Sequence, residues 1–300
     1  MADWRCHVNL MTKTKKSSFI VILLASTAYL MFVLMDTLAK HLTTIINIDQ
    51  LIWGRYFFHF LSMLIFFLIF KPKLNLKKNF KLQILRSALL VISTLCMFVS
   101  LKHFNLVDIY ILYFSSPLIL ALLSAFFLKD NLSIMGWILM ALSFISITFA
   151  IGPDMKIFSF QLLIPLSIPI IWAFYQYLTK IISVNKEPFV AVFYSGIVGS
   201  VFFSFYTYIN WVPFNSNLVW FQLIILGTFG FIAHLVLVYA IQLSNLSFVA
   251  NFQYSQLVWS SIVSFLIFGV PIEISRLFGI AAIIIFGVLF IKFELSKNIK

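Results

Sequence analysis

Charge is scarce in this chain: Asp and Glu together number 9, and charged residues make up only 10% of the 300. A water-facing globule of this size carries about a quarter of its residues as charges, so the composition excludes one. Cysteine is almost missing. Cys6 lies in the N-terminal stretch and Cys96 within an apolar run, which argues against a disulfide or a redox role. Glycine and proline are sparse as well, at 10 and 8. No phosphate-cradling glycine loop, His-Glu-x-x-His zinc pattern or Gly-x-Ser-x-Gly elbow occurs. No cofactor and no metal are therefore expected, and the lack of a nucleophile with its base disfavours an intramembrane enzyme.

What is abundant is hydrocarbon: 62% of residues are hydrophobic and 36 are Phe. At about 20 apolar residues per crossing, segments fall near 18 to 40, 50 to 70, 84 to 101, 107 to 128, 133 to 151, 158 to 178, 190 to 210, 218 to 241, 248 to 268 and 274 to 291. A membrane barrel would show roughly ten-residue alternating segments, and these runs are unbroken. Basic residues set the expected orientation, because basic loops resist translocation. Arg5, Lys13, Lys15, Lys16, Lys71, Lys73, Lys77, Lys78, Lys81, Arg86, Lys129, Lys180, Lys186, Lys292, Lys297 and Lys300 share one side. Only Lys40, Lys102, Lys156 and Arg276 face the other, which puts both termini in the cytoplasm. The net charge of +12 is thus a topology signal and calls for no nucleic acid.

The segments repeat. A shift of 140 lays Asp36-Thr37-Leu38-Ala39-Lys40 on Gln176-Tyr177-Leu178-Thr179-Lys180 and Arg55 on Ser195, while a shift of 139 lays Asp108 to Pro117 on Ser247 to Gln256. The expectation is an all-α integral membrane protein with ten transmembrane helices in two five-helix repeats. Residues 1–17 form a cytoplasmic tail, 18–151 the first repeat, 158–292 the second, and 293–300 a second tail. An internal repeat of this kind places a substrate site between the repeats near the bilayer midplane.

Particular residues then carry a resemblance. Arg86, Lys102-His103-Phe104-Asn105-Leu106-Val107-Asp108, Ser116-Pro117, Leu128-Lys129-Asp130 and Gly136-Trp137 make the chain similar to the ten-helix drug/metabolite transporter superfamily of EamA type. Gln50-Leu51-Ile52-Trp53-Gly54-Arg55-Tyr56 and Phe252-Gln253-Tyr254-Ser255-Gln256-Leu257-Val258-Trp259, with Phe268-Gly269-Val270-Pro271 and Gly279, resemble a subgroup that includes bacterial S-adenosylmethionine uptake carriers. The similarity spans roughly 18 to 292. Val270 and Asp130-Asn131 stand where the family often has Glu, so no role of those acids carries over.

Two ionisable residues sit inside segments, where an unpaired charge costs several kcal/mol. Asp36 lies about 10 Å past the middle of the first segment and Arg55 about 7 Å before the middle of the second, at 1.5 Å per residue. Both fall in the outer half and can meet. One reading is a structural ion pair, with Lys40 on the same face as Asp36 at i, i+4. The other is a substrate site, Arg55 taking a carboxylate bidentately and Asp36 an ammonium or sulfonium. Gln253, Gln256, Ser260 and Ser264 form a polar stripe on the ninth segment, matched on the fourth by Tyr110, Tyr113, Pro117, Ala121 and Ser124. Such stripes mark either tight helix packing or the lining of a cavity, and the resemblance favours the cavity. Trp172 and Gln176, at i, i+4, add an aromatic wall to it, and Tyr254 a further ring for cation-π contact or stacking. His234 admits two readings, a proton carrier or a hydrogen bond to a neighbouring helix.

The expected function is a secondary transporter of the bacterial inner membrane, moving a small zwitterionic or cationic metabolite, with S-adenosylmethionine uptake its sharpest form. Its partners are that substrate and the lipid bilayer, with a coupling ion or counter-substrate left open. The composition agrees with an AT-rich genome, at 17 Lys to 4 Arg. An amino-acid or drug exporter of the same fold is the rival. From other classes come an intramembrane enzyme and a receptor, and the internal repeat counts against the latter.

Overall fold

The computed structural model describes residues 15–72, 75–127, 133–150, 160–183, 188–214, 216–244, 249, 252–270 and 274–297. Arg5, Cys6, Lys13, Lys73, Leu128, Lys129, Asp130, Asn131, Lys156, Lys186, Ser247, Pro271 and Lys300, named above, lie outside them. Among the described residues every regular element is a helix, as hydrocarbon requires when no water is present to satisfy backbone groups. They are α1 Lys15–Leu42, α2 Ile48–Phe70, α3 Phe80–His103, α4 Leu106–Tyr113, α5 Ser115–Phe127, α6 Ile134–Ala150, α7 Leu163–Ser183, α8 Pro188–Ile209, α9 Asn217–Leu243, α10 Ser255–Phe268 and α11 Ile274–Lys297. With α4 and α5 as one broken rod, these are the ten expected segments. Five stretches, Phe19–Leu42, Ile48–Phe70, Phe80–His103, Pro188–Ile209 and Asn217–Leu243, are long and apolar enough to span a bilayer by themselves. Phe205, Ile209, Leu266 and Phe278 are exposed, as residues facing lipid should be.

The break between α4 and α5 has a chemical cause. Pro117 lacks the N–H that the carbonyl of Tyr113 would accept four residues earlier. Gln253 supplies a donor in its place, its Nε2 reaching that carbonyl at 3.2 Å. Gln253 itself sits in the 3-10 turn Phe252–Tyr254 that precedes α10. A shift of 139 carries Phe114, the break residue of the fourth rod, onto Gln253, so the two rods lose regularity at equivalent points and meet there.

The repeats interleave. α3, α4 and α5 pack with α7 of the second repeat, while α1 packs with α9 and α10; α2 and α8 lie against each other, α2 also on α9 and α8 on α3. α6 pairs with α11. Every one of these pairings maps onto itself or onto another when the repeats are exchanged, as a pseudo-two-fold demands. The packed bodies therefore mix both repeats.

Two lysines display the symmetry atom by atom. Lys40 Nζ donates to the carbonyls of Leu101 and Phe104, both at 2.8 Å, at the end of α3. Lys180 Nζ donates to those of Ile241 at 3.1 Å and Ser244 at 2.7 Å, at the end of α9. Adding 140 to each number of the first set gives the second. The last carbonyls of a helix have no partner within it and favour a cation, so the coinciding lysines are interhelical C-caps. Lys40 does not pair with Asp36. Arg86 also departs from its place among the basic loop residues, because it is fully buried inside α3.

Candidate functional site

A cavity opens where α1, α2, α3, α4, α7, α9 and α10 converge. Its wall includes Phe32, Met35, Asp36, Arg55, Ser93, Thr94, Tyr110, Tyr113, Trp172, His234 and Gln256. It leaves about 50 Å³ open to the centres of water molecules. That admits a few waters, against the roughly 300 to 1,000 Å³ of a typical ligand pocket. The space between these helices is thus too small, as it stands, for a ligand of metabolite size.

Asp36 and Arg55 both face this cavity without forming an ion pair. Asp36 Oδ2 accepts the hydroxyl of Tyr110 at 2.7 Å, and Oδ1 has no hydrogen-bond partner. The guanidinium of Arg55, wholly buried, rests on Gly230, where a Cβ would lie 3.1 Å from Cζ. Its Nη1 is 3.4 Å from His59 Nδ1, and its Nε is unpartnered. Trp172 Nε1 and Gln256 Oε1 are also buried without partners. The wall therefore offers two free donors and two free acceptors, one of each charged. Burying such groups unpaired costs about 1 to 3 kcal/mol apiece and more for ions, so the cavity is built to meet polar groups of both signs.

The rings form one end. Trp172 stacks on Tyr175 with centroids 4.8 Å apart, and Phe32 and Tyr113 each lie 5.8 Å from Trp172. Of the residues the sequence nominates, Asp36, Arg55, Tyr113, Trp172 and Gln256 are brought together here. Gln176, Gln253 and Tyr254 are not among the lining residues. Gln176 Nε2 is 3.5 Å from Gln253 Oε1, and Gln253 is engaged with the Tyr113 carbonyl as described. Tyr254 stacks on Phe114 at 5.5 Å and fills the notch at Gly287, where a Cβ would stand 2.6 Å from its ring.

The burial of Arg86 was not legible in the sequence, which places it with the basic loop residues and in the family resemblance. Arg86 Nε donates to Thr179 Oγ1 at 2.6 Å, Nη1 to the Ala191 carbonyl and Ser195 Oγ at 2.9 Å each, and Nη2 to Tyr175 OH at 2.7 Å. Tyr175 OH lies 3.0 Å from His234 Nδ1, so His234 takes part in an interhelical hydrogen bond. The repeat explains the pair of arginines. Ser195, which Arg86 contacts, is the counterpart of Arg55, and Leu226 is the counterpart of Arg86, one turn before Gly230. Each of two equivalent niches thus holds one guanidinium, supplied by α2 in one and α3 in the other. The one in α3 has a protein partner for each nitrogen, whereas the one in α2 keeps Nε free. An arginine two residues inside an apolar segment was the available signal, hidden by the lysine run before it.

The profile of the EamA-like transporter family matches residues 19–152 and again 160–293. A protein of Rickettsia bellii described as an S-adenosylmethionine uptake transporter is 26% identical over 271 residues, covering 87% of this chain and 89% of that one. Its counterpart in Rickettsia felis is 27% identical over 264 residues, covering 87% and 88%. A riboflavin transporter of Vibrio cholerae is 27% identical over 188 residues, covering 62% and 63%. A solved structure superposes with a TM-score of 0.69 at 16% identity, over 95% of this chain and 98% of the other, and shows the shared fold.

Proposed function

Because the chain belongs to the EamA-like transporter family, we propose that it is a secondary carrier of the bacterial inner membrane, with both termini in the cytoplasm, and that it takes up a small zwitterionic metabolite of the S-adenosylmethionine type. The carrying observation is the pair of unmatched charged groups in one small cavity, Asp36 Oδ1 and Arg55 Nε. A carboxylate on Arg55 gains a charge-assisted hydrogen bond, and a sulfonium or ammonium on Asp36 balances the carboxylate. Trp172 and Tyr113 supply flat apolar surface for a ring. Gln256 Oε1 accepts a further donor from the ligand. The descriptions of the Rickettsia relatives name a compound with all of these features, and the Vibrio relative names one with a large flat ring.

Transport on this reading proceeds by alternate parting of the helix groups around a fixed site. A ligand that pairs both charges lowers the cost of closing over them, so the loaded carrier closes more readily than the empty one. Uptake of a radiolabelled panel into proteoliposomes, with and without a proton gradient, tests the reading. Saturable S-adenosylmethionine uptake supports it. Transport of hydrophobic cations alone, with no zwitterion carried, would favour a drug exporter.

A further inference from the structure

The same cavity is bounded on its two sides by contacts that cross between the helix groups, and these contacts are chemically unlike. Towards the turn at 43–47, Tyr110 of α4 donates to Asp36 of α1 at 2.7 Å. Tyr110 is four residues from the start of α4 and Asp36 six from the end of α1, so both lie on that side of the centre. Towards the opposite face, where α3 and α8 begin, Tyr175 of α7 meets His234 of α9 at 3.0 Å. Tyr175 is eight residues from the end of α7 and His234 nine from the end of α9.

Ties across the groups differ in symmetry. Lys40 to the end of α3 and Lys180 to the end of α9 form a matched pair, whereas Tyr56 to Thr94 and Gln253 to the Tyr113 carbonyl, like the two tyrosine contacts, are single. Matched ties stabilise closure equally on both sides and cancel. The tyrosine contacts have no such mates. A shift of 140 carries Tyr175 and His234 back to Met35 and Thr94, a thioether with no hydrogen to donate and a hydroxyl already bonded to Leu90 and Tyr56. The counterparts of Asp36 and Tyr110 are Gln176 and Val249, and Val249 cannot hydrogen-bond through its side chain.

We propose that Tyr110 and Tyr175 are the two gates of the cavity, one on each side, and that Arg86 positions the second. Arg86 Nη2 donates to Tyr175 OH, and its Cζ lies 4.5 Å from the Tyr175 ring centroid. Those two contacts fix the ring where it reaches His234. Both gates touch the ligand site. Asp36 holds Tyr110 by one oxygen and presents the other to the cavity, so a bound cation sits next to the first gate. His234 lines the cavity, so an occupant touches the second gate as well. Closure on each side thereby depends on the ligand through a different residue.

This inference rests on the carrier reading, but its test needs no substrate, so failure of one leaves the other standing. Cys6 and Cys96 are replaced by Ser, and Ser93 on the cavity wall by Cys, as the target of a membrane-impermeant maleimide. Tyr110→Phe should raise the labelling rate from the 43–47 side by about tenfold, the order expected for one buried hydrogen bond to a charged group. Tyr175→Phe should raise it by several-fold from the opposite side only. Arg86→Lys keeps the charge and loses the fork, so it should follow Tyr175→Phe. Phenylalanine keeps both rings, and the detergent melting curve reports whether each variant is folded. Should Tyr175→Phe fail to accumulate, Thr179→Val, which removes one acceptor of Arg86, carries the same test. Labelling unchanged from both sides in the folded variants, or Tyr175→Phe opening the 43–47 side, would overturn the assignment.

Discussion

Gly230→Ala is the gentlest way to move the Arg55 guanidinium within the cavity wall. A Cβ built there stands 3.1 Å from Arg55 Cζ, 3.2 Å from Nη2 and 3.3 Å from Nη1. The guanidinium must therefore shift by a few tenths of an ångström, and it is the end of a flexible side chain. Helix packing need not change. Gly227→Ala, one turn earlier on the same helix, is the control for the opposite case. Its Cβ would fall 2.6 Å from the backbone nitrogen of His59 and 2.7 Å from the carbonyl carbon of Phe58, so α2 and α9 must separate. A charge-assisted hydrogen bond contributes about 1.5 to 3 kcal/mol. Misplacing the donor forfeits about half of that, roughly 0.8 to 1.5 kcal/mol, or up to about tenfold in affinity. In proteoliposomes Gly230→Ala should raise the KM for S-adenosylmethionine several-fold, up to about tenfold, at unchanged membrane level and melting temperature, while Gly227→Ala should fail to accumulate. An unchanged KM in folded Gly230→Ala would refute the placement of a substrate group on Arg55.

Other expectations follow from the same contacts. Lys40→Met and Lys180→Met each orphan two helix-end carbonyls and should lower stability by similar amounts, about 1 to 3 kcal/mol, read from melting in detergent. Gln253→Leu removes the donor to the Tyr113 carbonyl and should cost a comparable amount, measured the same way. Asp36→Asn and Arg55→Gln should reach the membrane and lose uptake, and the charge-swapped double mutant should not restore it. Cysteines at Asn47 and Asn105 should react from outside the cell and one at Asn75 should not, and the reverse pattern would invert the membrane orientation.

Helix lengths were plain in the sequence because hydrocarbon imposes them: a run of twenty apolar residues has one backbone solution in lipid. The interleaving was not legible, since a periodic pattern says which face is buried and not which neighbour buries it. Asp36 and Arg55 announced themselves as charges inside apolar segments. Their failure to pair could not be read, because Tyr110 is 74 residues from Asp36 and takes the oxygen that an ion pair would use. Gln253 and Gln256 look equivalent on a helical stripe. The break at Pro117 separates them, giving Gln253 a carbonyl to satisfy and leaving Gln256 on the cavity. Arg86 was misread for a similar reason, as its acceptors are 89 to 109 residues distant in the chain.

Competition against labelled S-adenosylmethionine uptake separates what the two charges of the site read from what its rings read. If Arg55 and Asp36 read a zwitterion and Trp172 and Tyr113 a ring, S-adenosylhomocysteine competes well, because it keeps the amino-acid end and the purine. Free adenine competes poorly, having nothing for either charge, and Arg55→Gln removes the advantage of the first over the second. Equal inhibition by both compounds, or an advantage that survives Arg55→Gln, would contradict a site built on that pair of charges.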